Sequence, residues 1–219
     1  MNIKRKIILP FSIIIIYFLI LLTFSFLLVD EQSTWFVDVL NDKLYVFKLA
    51  PLYLFFISYI DRCMTTPKII RIGNRTNSLL DSLIAKIIFT FVYFFLWFEF
   101  VIIFSLIKYS NIYERTSGDI LNLFVKFFLG YILLNILAEI FRKSENKYIS
   151  KLSYFIAFII LVIELMVIKR HIEIHTTLKL NFLFSWIFYD SIWSYLALGI
   201  IITLLLIYLF KVSVKKDIL

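Results

Sequence analysis

Three ionisable residues lie deep inside long apolar runs of this 219-residue chain: Glu99, Lys126 and Glu164. A charged side chain at the centre of a spanning helix costs at least about 2.5 kcal/mol, so each is a functional candidate by default. Counting ~1.5 Å per residue from the inner ends of their runs puts all three at a similar depth, slightly outside the midplane. Equal depth permits mutual pairing, and Lys126 with one glutamate is the least costly arrangement. The second carboxyl is then protonated, paired elsewhere or turned to a water-filled path. Two readings stay open, a structural ion pair and a set of translocation-path residues. Lys48 lies close enough to the outer surface to snorkel, and Glu139 near Arg142 reads as an interfacial helix-end pair.

Other chemistry is sparse. His171, Glu173 and His175 alternate, so on a strand they could face one way and ligate a metal. They have no fourth partner, and no metal site is expected. Neither H-E-x-x-H nor the phosphate-cradling G-x-x-x-x-G-K-[ST] loop occurs. No nucleophile–base pair or His/Asp/Glu cluster is placed for catalysis at the membrane surface. The chain therefore reads as no enzyme, with no cofactor of its own. The single cysteine, Cys63, excludes an internal disulfide and reads as an inert small residue. A net charge of +8 could suggest nucleic acid, but no basic stripe interleaved with stacking aromatics supports that partner.

The elements that must carry these residues follow from hydropathy. At 62% hydrophobic residues and a mean hydropathy of +0.95, the helices would have no polar face to show water. Six apolar stretches, 7–29, 46–61, 87–107, 120–141, 152–169 and 191–212, read as membrane crossings, since about 20 residues span the hydrocarbon. The second is short and must extend at one end. The expected fold is all-α, a polytopic protein of the cell membrane with six transmembrane helices in one domain over residues 1–219. Basic residues cluster before the first stretch (Lys4, Arg5, Lys6), between the second and third (Arg62, Lys68, Arg71, Arg75, Lys86), between the fourth and fifth (Arg142, Lys143, Lys147, Lys151) and at the end (Lys211, Lys215, Lys216). By the positive-inside rule, both termini are cytoplasmic. Residues 170–190 are apolar from Leu180 to Tyr189, too short to cross. They are expected to dip into the outer leaflet or lie along it before helix six. Trp35, Trp186, Tyr189 and Trp193 fit outer interfacial anchors. Four glycines and three prolines are few for a transporter with broken helices.

The segment 62–86, RCMTTPKIIRIGNRTNSLLDSLIAK, is the substantial cytoplasmic connection. Pro67 can open a helical turn that carries Lys68, Ile69, Ile70, Arg71, Ile72 and Arg75. Gly73-Asn74 allows a turn, and Asn77 or Ser78 could cap a helix that begins at Leu79 and runs into the third crossing. Such a short, basic, partly apolar helix over 65–82 can transmit a push from a cytoplasmic partner. It can equally rest on the anionic headgroups of membrane lipid.

This pattern resembles the permease subunits of type 2 ABC exporters: six spans, cytoplasmic termini, a basic segment between spans two and three, and an outer apolar hairpin before span six. The stretch RIGNRTNSLLDSLIAKII, Arg71–Ile88, is similar to the corresponding loop of small permeases that export bacteriocins, lantibiotics and phenol-soluble-modulin-like peptides in Gram-positive bacteria. The family's amphipathic elbow helix has little room before the first stretch here. The resemblance implies a coupling helix at Pro67–Arg75, docked in a groove of a separate ABC ATPase that supplies ATP and Mg. Arg71 and Arg75 would then face acidic residues. It further implies pairing with a second permease as a homodimer or heterodimer, a peptide cargo, and Glu99, Lys126 and Glu164 as translocation-path candidates. The alternative reading is a non-transporting bacteriocin immunity or sensor protein. A vitamin-uptake subunit fits less well, because a polar pocket is not evident and glycine is scarce.

Overall fold

A computed structural model describes the backbone of residues 3–28, 39–41, 43–72, 75–109, 116–174 and 192–217. Side chains are described for 12–28, 39–41, 43–61, 79–109, 120–167 and 193–213. Every element among these residues is helical. The helices are α1 (Ile3–Leu28), a π-helical turn (Leu44–Leu49) that runs into α2 (Ala50–Ile72), α3 (Arg75–Tyr109), α4 (Thr116–Arg142), the short α5 (Lys147–Lys151), α6 (Ser153–Ile174) and α7 (Ile192–Asp217). A helix thus occupies each of the six apolar stretches. Four contain described segments long and apolar enough to cross a membrane: Leu44–Asp61, Leu79–Tyr109, Ile120–Arg142 and Trp193–Ser213. The described apolar parts of α1 and α6, Ser12–Leu28 and Ser153–Val167, are shorter.

The second stretch does lengthen, at its N-terminal end, where the π-helical turn carries it back to Leu44. Asn41 starts that turn, its side-chain oxygen accepting the Leu44 N–H at 2.8 Å. The C-terminal side brings a larger difference. α2 stays helical through Pro67 to Ile72, and α3 begins at Arg75 rather than at Leu79. Arg75 is a good helix former, and Asn77 and Ser78 fall in the first turns of the helix rather than ahead of it. Pro67 has no N–H to give the carbonyl of Cys63 four residues back, yet the helix continues past it. Gly73 and Asn74, the expected turn, lie outside the described residues.

The chain divides into two compact units. The first comprises residues 1–56 and 91–125 and has an aromatic core. Phe18 of α1 meets Tyr93 and Trp97 of α3 edge-on, with centroids at 5.0 Å in both cases. Tyr53 packs on Tyr93 at 5.3 Å. Two tyrosines brace the junction between the π-helical turn and α2: the Tyr93 hydroxyl donates to the Leu49 carbonyl at 2.9 Å, and the Tyr17 hydroxyl to that of Lys48 at 3.1 Å. Lys108, at the end of α3, donates to the Phe26 carbonyl and sits 4.8 Å from the centroid of its ring.

The second unit comprises residues 57–90 and 126–219. Its apolar core joins α3, α4 and α7 through Leu79, Leu83, Ile136 and Leu209. α7 turns a stripe outward: Trp193, Leu196, Ile200, Leu204 and Ile207 are all more than half exposed. Spacings of three and four put these residues on one helix face, and an apolar face of that length is stable against hydrocarbon rather than water. Gly199, beside the stripe, has open space where a Cβ would stand, so it makes no close helix–helix approach.

Candidate functional site

Within the second unit, the N-terminal part of α3 and the C-terminal part of α4 each carry a polar stripe. On α3, Ser82, Lys86 and Thr90 follow at four-residue spacing; on α4, Asn135, Glu139 and Arg142 follow at four and three. These spacings align each set on a single face, and all six side chains are at most partly exposed. α2 adds Asp61, the last residue of its apolar segment.

The four charges close into a ring of alternating sign. Lys86 donates to Glu139 Oε1 and lies 3.3 Å from Asp61 Oδ1. Arg142 Nη1 donates to Asp61 Oδ2, and its Nη2 stands 2.8 Å from Glu139 Oε2. That last contact is ionic in distance but lies outside hydrogen-bond geometry, since Oε2 accepts no hydrogen bond. Each base therefore touches both carboxylates, and each carboxylate touches both bases. Ser82 Oγ donates to Asp61 Oδ1 at 3.2 Å. The Lys86 ammonium also lies 5.6 Å from the ring centroid of Tyr154 on α6. Thr90 Oγ1 donates to the Lys86 carbonyl at 2.7 Å and accepts from Asn135 Nδ2 at 3.3 Å.

Burial makes the ring consequential. Glu139 is 0% exposed, Lys86 2% and Asp61 4%, while the Arg142 side chain keeps 25%. Desolvating each ion costs several kcal/mol, which only full pairing offsets. Two acids and two bases sum to zero, so the ring is neutral as a whole. With no nucleophile in it, its chemistry is mechanical: it locks one level of α2, α3 and α4 together. Any sliding of one helix past the others there must break at least two of the four ionic contacts.

No family model, curated protein or solved structure matches this chain.

Of the residues expected from sequence, Lys126 and Glu164 are buried, at 1% and 7% exposure. Lys126 places its ammonium 5.7 Å from the ring centroid of Tyr195 on α7, a cation–π contact. Glu99 is exposed on α3, in the first unit, whereas Lys126 and Glu164 belong to the second. The expected coupling residues Pro67, Lys68, Ile69, Ile70, Arg71 and Ile72 lie on the last turns of α2, and Arg75 opens α3. Their side chains lie outside the described residues, as do those of His171 and Glu173 and all of His175. Among the described residues, no group of three His, Cys, Asp or Glu could hold a metal.

Sequence reasoning passed over the ring. Lys86 and Arg142 counted as loop charges that set topology, and Glu139–Arg142 as an interfacial pair. The structure has the Glu139–Arg142 contact at the end of α4, but Glu139 is fully enclosed and the contact is one side of the four-charge arrangement. The signal that could have found it was the pair of polar stripes at helical spacing, each on an otherwise apolar helix.

Proposed function

We propose that this chain is the transmembrane permease subunit of an ATP-driven exporter for hydrophobic or amphipathic peptides such as toxins or bacteriocins. In this reading it crosses the cell membrane six times, with both termini cytoplasmic. It pairs with a second permease, and a separate ATPase grips Pro67–Arg75. One observation carries the reading. The basic stretch is borne by α2 and α3, which are helical up to Ile72 and again from Arg75, and the bases of both are clamped by Asp61–Ser82 and Asp61–Lys86. A handle on two stiff arms with a locked base moves the arms with it.

Coupling then follows from mechanics. ATP and Mg act in the partner, whose closure must favour one permease conformation over another. A push on Arg71 and Arg75 travels along α2 and α3 into the ring, and Glu139 and Arg142 carry it to α4. Because the ring resists sliding, the three helices turn as one body, the kind of rigid motion that alternating access uses. Lys126 and Glu164 would then take part in the path as buried polar groups, with Glu99 at an exposed position.

The test is to coexpress the full chain with ATPases of the host and reconstitute the complex that copurifies. R71E/R75E should abolish peptide-stimulated ATP hydrolysis while leaving the helical content of the chain unchanged. Undiminished stimulation would refute the handle. A chain that protects cells from a bacteriocin with no ATPase present would instead support the immunity reading.

A further inference from the structure

At the end of the second unit that carries α5, a groove of about 300 Å³ opens between the C-terminal end of α4, the short α5 and α7. Its walls are mostly apolar, Ile140 and Phe141 from α4, Ile149 from α5, Leu209 and Val212 from α7, with Ser144 and Tyr208 adding hydroxyls. Its rim is basic. Lys143 lines the groove itself, and exposed Lys211 precedes Val212 of the lining. Exposed Glu145 is the acidic residue beside them. Two lysines, Lys143 and Lys211, thus stand by a mostly apolar floor.

We infer that this groove is a binding site for an anionic phospholipid, with the phosphate held by Lys143 and Lys211 and the start of one acyl chain against the apolar walls. Three features point to lipid rather than to a soluble anion or an acidic protein. First, large apolar and aromatic side chains stand exposed: Tyr208 of the lining at 53%, and Tyr148 on α5 and Leu152 just after it at 79% and 53%. Tyrosine beside lysine is the composition of a membrane–water interface, where the ring stays among headgroups and the ammonium reaches phosphate. Second, α5 buries none of its residues, as expected of a short helix lying on the interface rather than packed in a core. Third, the rim is preformed. Asn146 accepts the Tyr148 N–H at 2.9 Å, and Ser150 Oγ donates to the Arg142 carbonyl at 2.8 Å, tying α5 to the end of α4. A site that is already ordered loses little entropy on binding. Basic pockets between helices at a membrane surface are the general form of a headgroup site. The site stands whether or not the chain transports anything.

The test uses the purified full chain in micelles, titrated with phosphatidylglycerol or phosphatidylcholine of matched acyl chains and read by native mass spectrometry. Each lysine near an anionic headgroup contributes about fivefold in affinity. With Lys143 and Lys211 engaged, the first phosphatidylglycerol should bind about 25-fold tighter than phosphatidylcholine. K143Q/K211Q should bring that ratio close to one. V212W, which fills the groove without changing charge, should remove the tight site, whereas K43Q, in the first unit, should leave the ratio intact. Equal affinity of the wild type for the two lipids would overturn the site with no variant needed. So would a preference that survives both K143Q/K211Q and V212W, or one erased by an excess of inorganic phosphate, which would reveal a site for free anions.

Discussion

At the scale of single residues, the ring of Asp61, Lys86, Glu139 and Arg142 makes an asymmetric prediction. Lys86→Ala leaves two buried carboxylates sharing one arginine, and removing one partner of a buried pair costs about 3–5 kcal/mol. Lys86→Met with Glu139→Leu removes one acid and one base together. It leaves Asp61–Arg142 neutral, and buried pairs replaced by apolar residues of similar volume are often neutral or stabilising. The double variant should therefore unfold in micelles within about 1 kcal/mol of the wild type, well above the single variant. If the double is as unstable as the single, the ring is not closed in the way described. Tyr93→Phe tests the first unit in the same manner. It deletes the donor to the Leu49 carbonyl, a loss of about 1 kcal/mol on denaturation, and leaves the aromatic packing with Phe18 and Tyr53 in place.

At the scale of elements, α7 owes least to its neighbours of the four helices whose described segments are long enough to cross. Only 17% of its apolar segment is buried, against 56% for that of α4. Gly199 lies inside α7 with open space where a methyl would go, so Gly199→Ala meets no clash and removes the backbone entropy that glycine carries in a helix. A gain of about 0.5–1 kcal/mol is expected, measured as an upward shift in the thermal midpoint of the purified chain. A loss instead would mean that a second helix surface, rather than lipid, covers this face in the working assembly. α3 is the opposite case. At 35 residues it is long enough, at ~1.5 Å per residue, to exceed the hydrocarbon thickness by about 20 Å, so it can cross and still carry one arm of the basic handle.

At the scale of the whole molecule, the proposed six crossings with inner termini have a direct test. In a Cys63→Ser background, single cysteines at Ser33→Cys and Asn111→Cys should react with an impermeant maleimide added to intact cells. Ser144→Cys and Lys216→Cys should react only after the cells are opened. The reverse pattern would place the basic handle outside and remove the basis for an ATPase partner. The same cells serve to ask whether the chain copurifies with an ATPase, because topology and partnership are separate outcomes.

What the amino-acid order determines alone is the class of molecule and the location of its helices. An apolar run of about 20 residues is a local property, and hydrocarbon leaves its backbone no option but helix. Each of the six runs is helical accordingly. The charges behave differently. Lys86 and Glu99 lie on one helix, yet Lys86 is enclosed and Glu99 is exposed. Asp61, at the end of an apolar run, becomes the joint of three helices. Whether a charge is buried and which partner it meets depend on how neighbouring helices are rotated and how deep they sit against one another. Those contacts join residues as far apart as Asp61 and Arg142. Only tertiary packing sets them, because pairing energy in a low-dielectric interior falls steeply when opposite charges are not brought to contact distance.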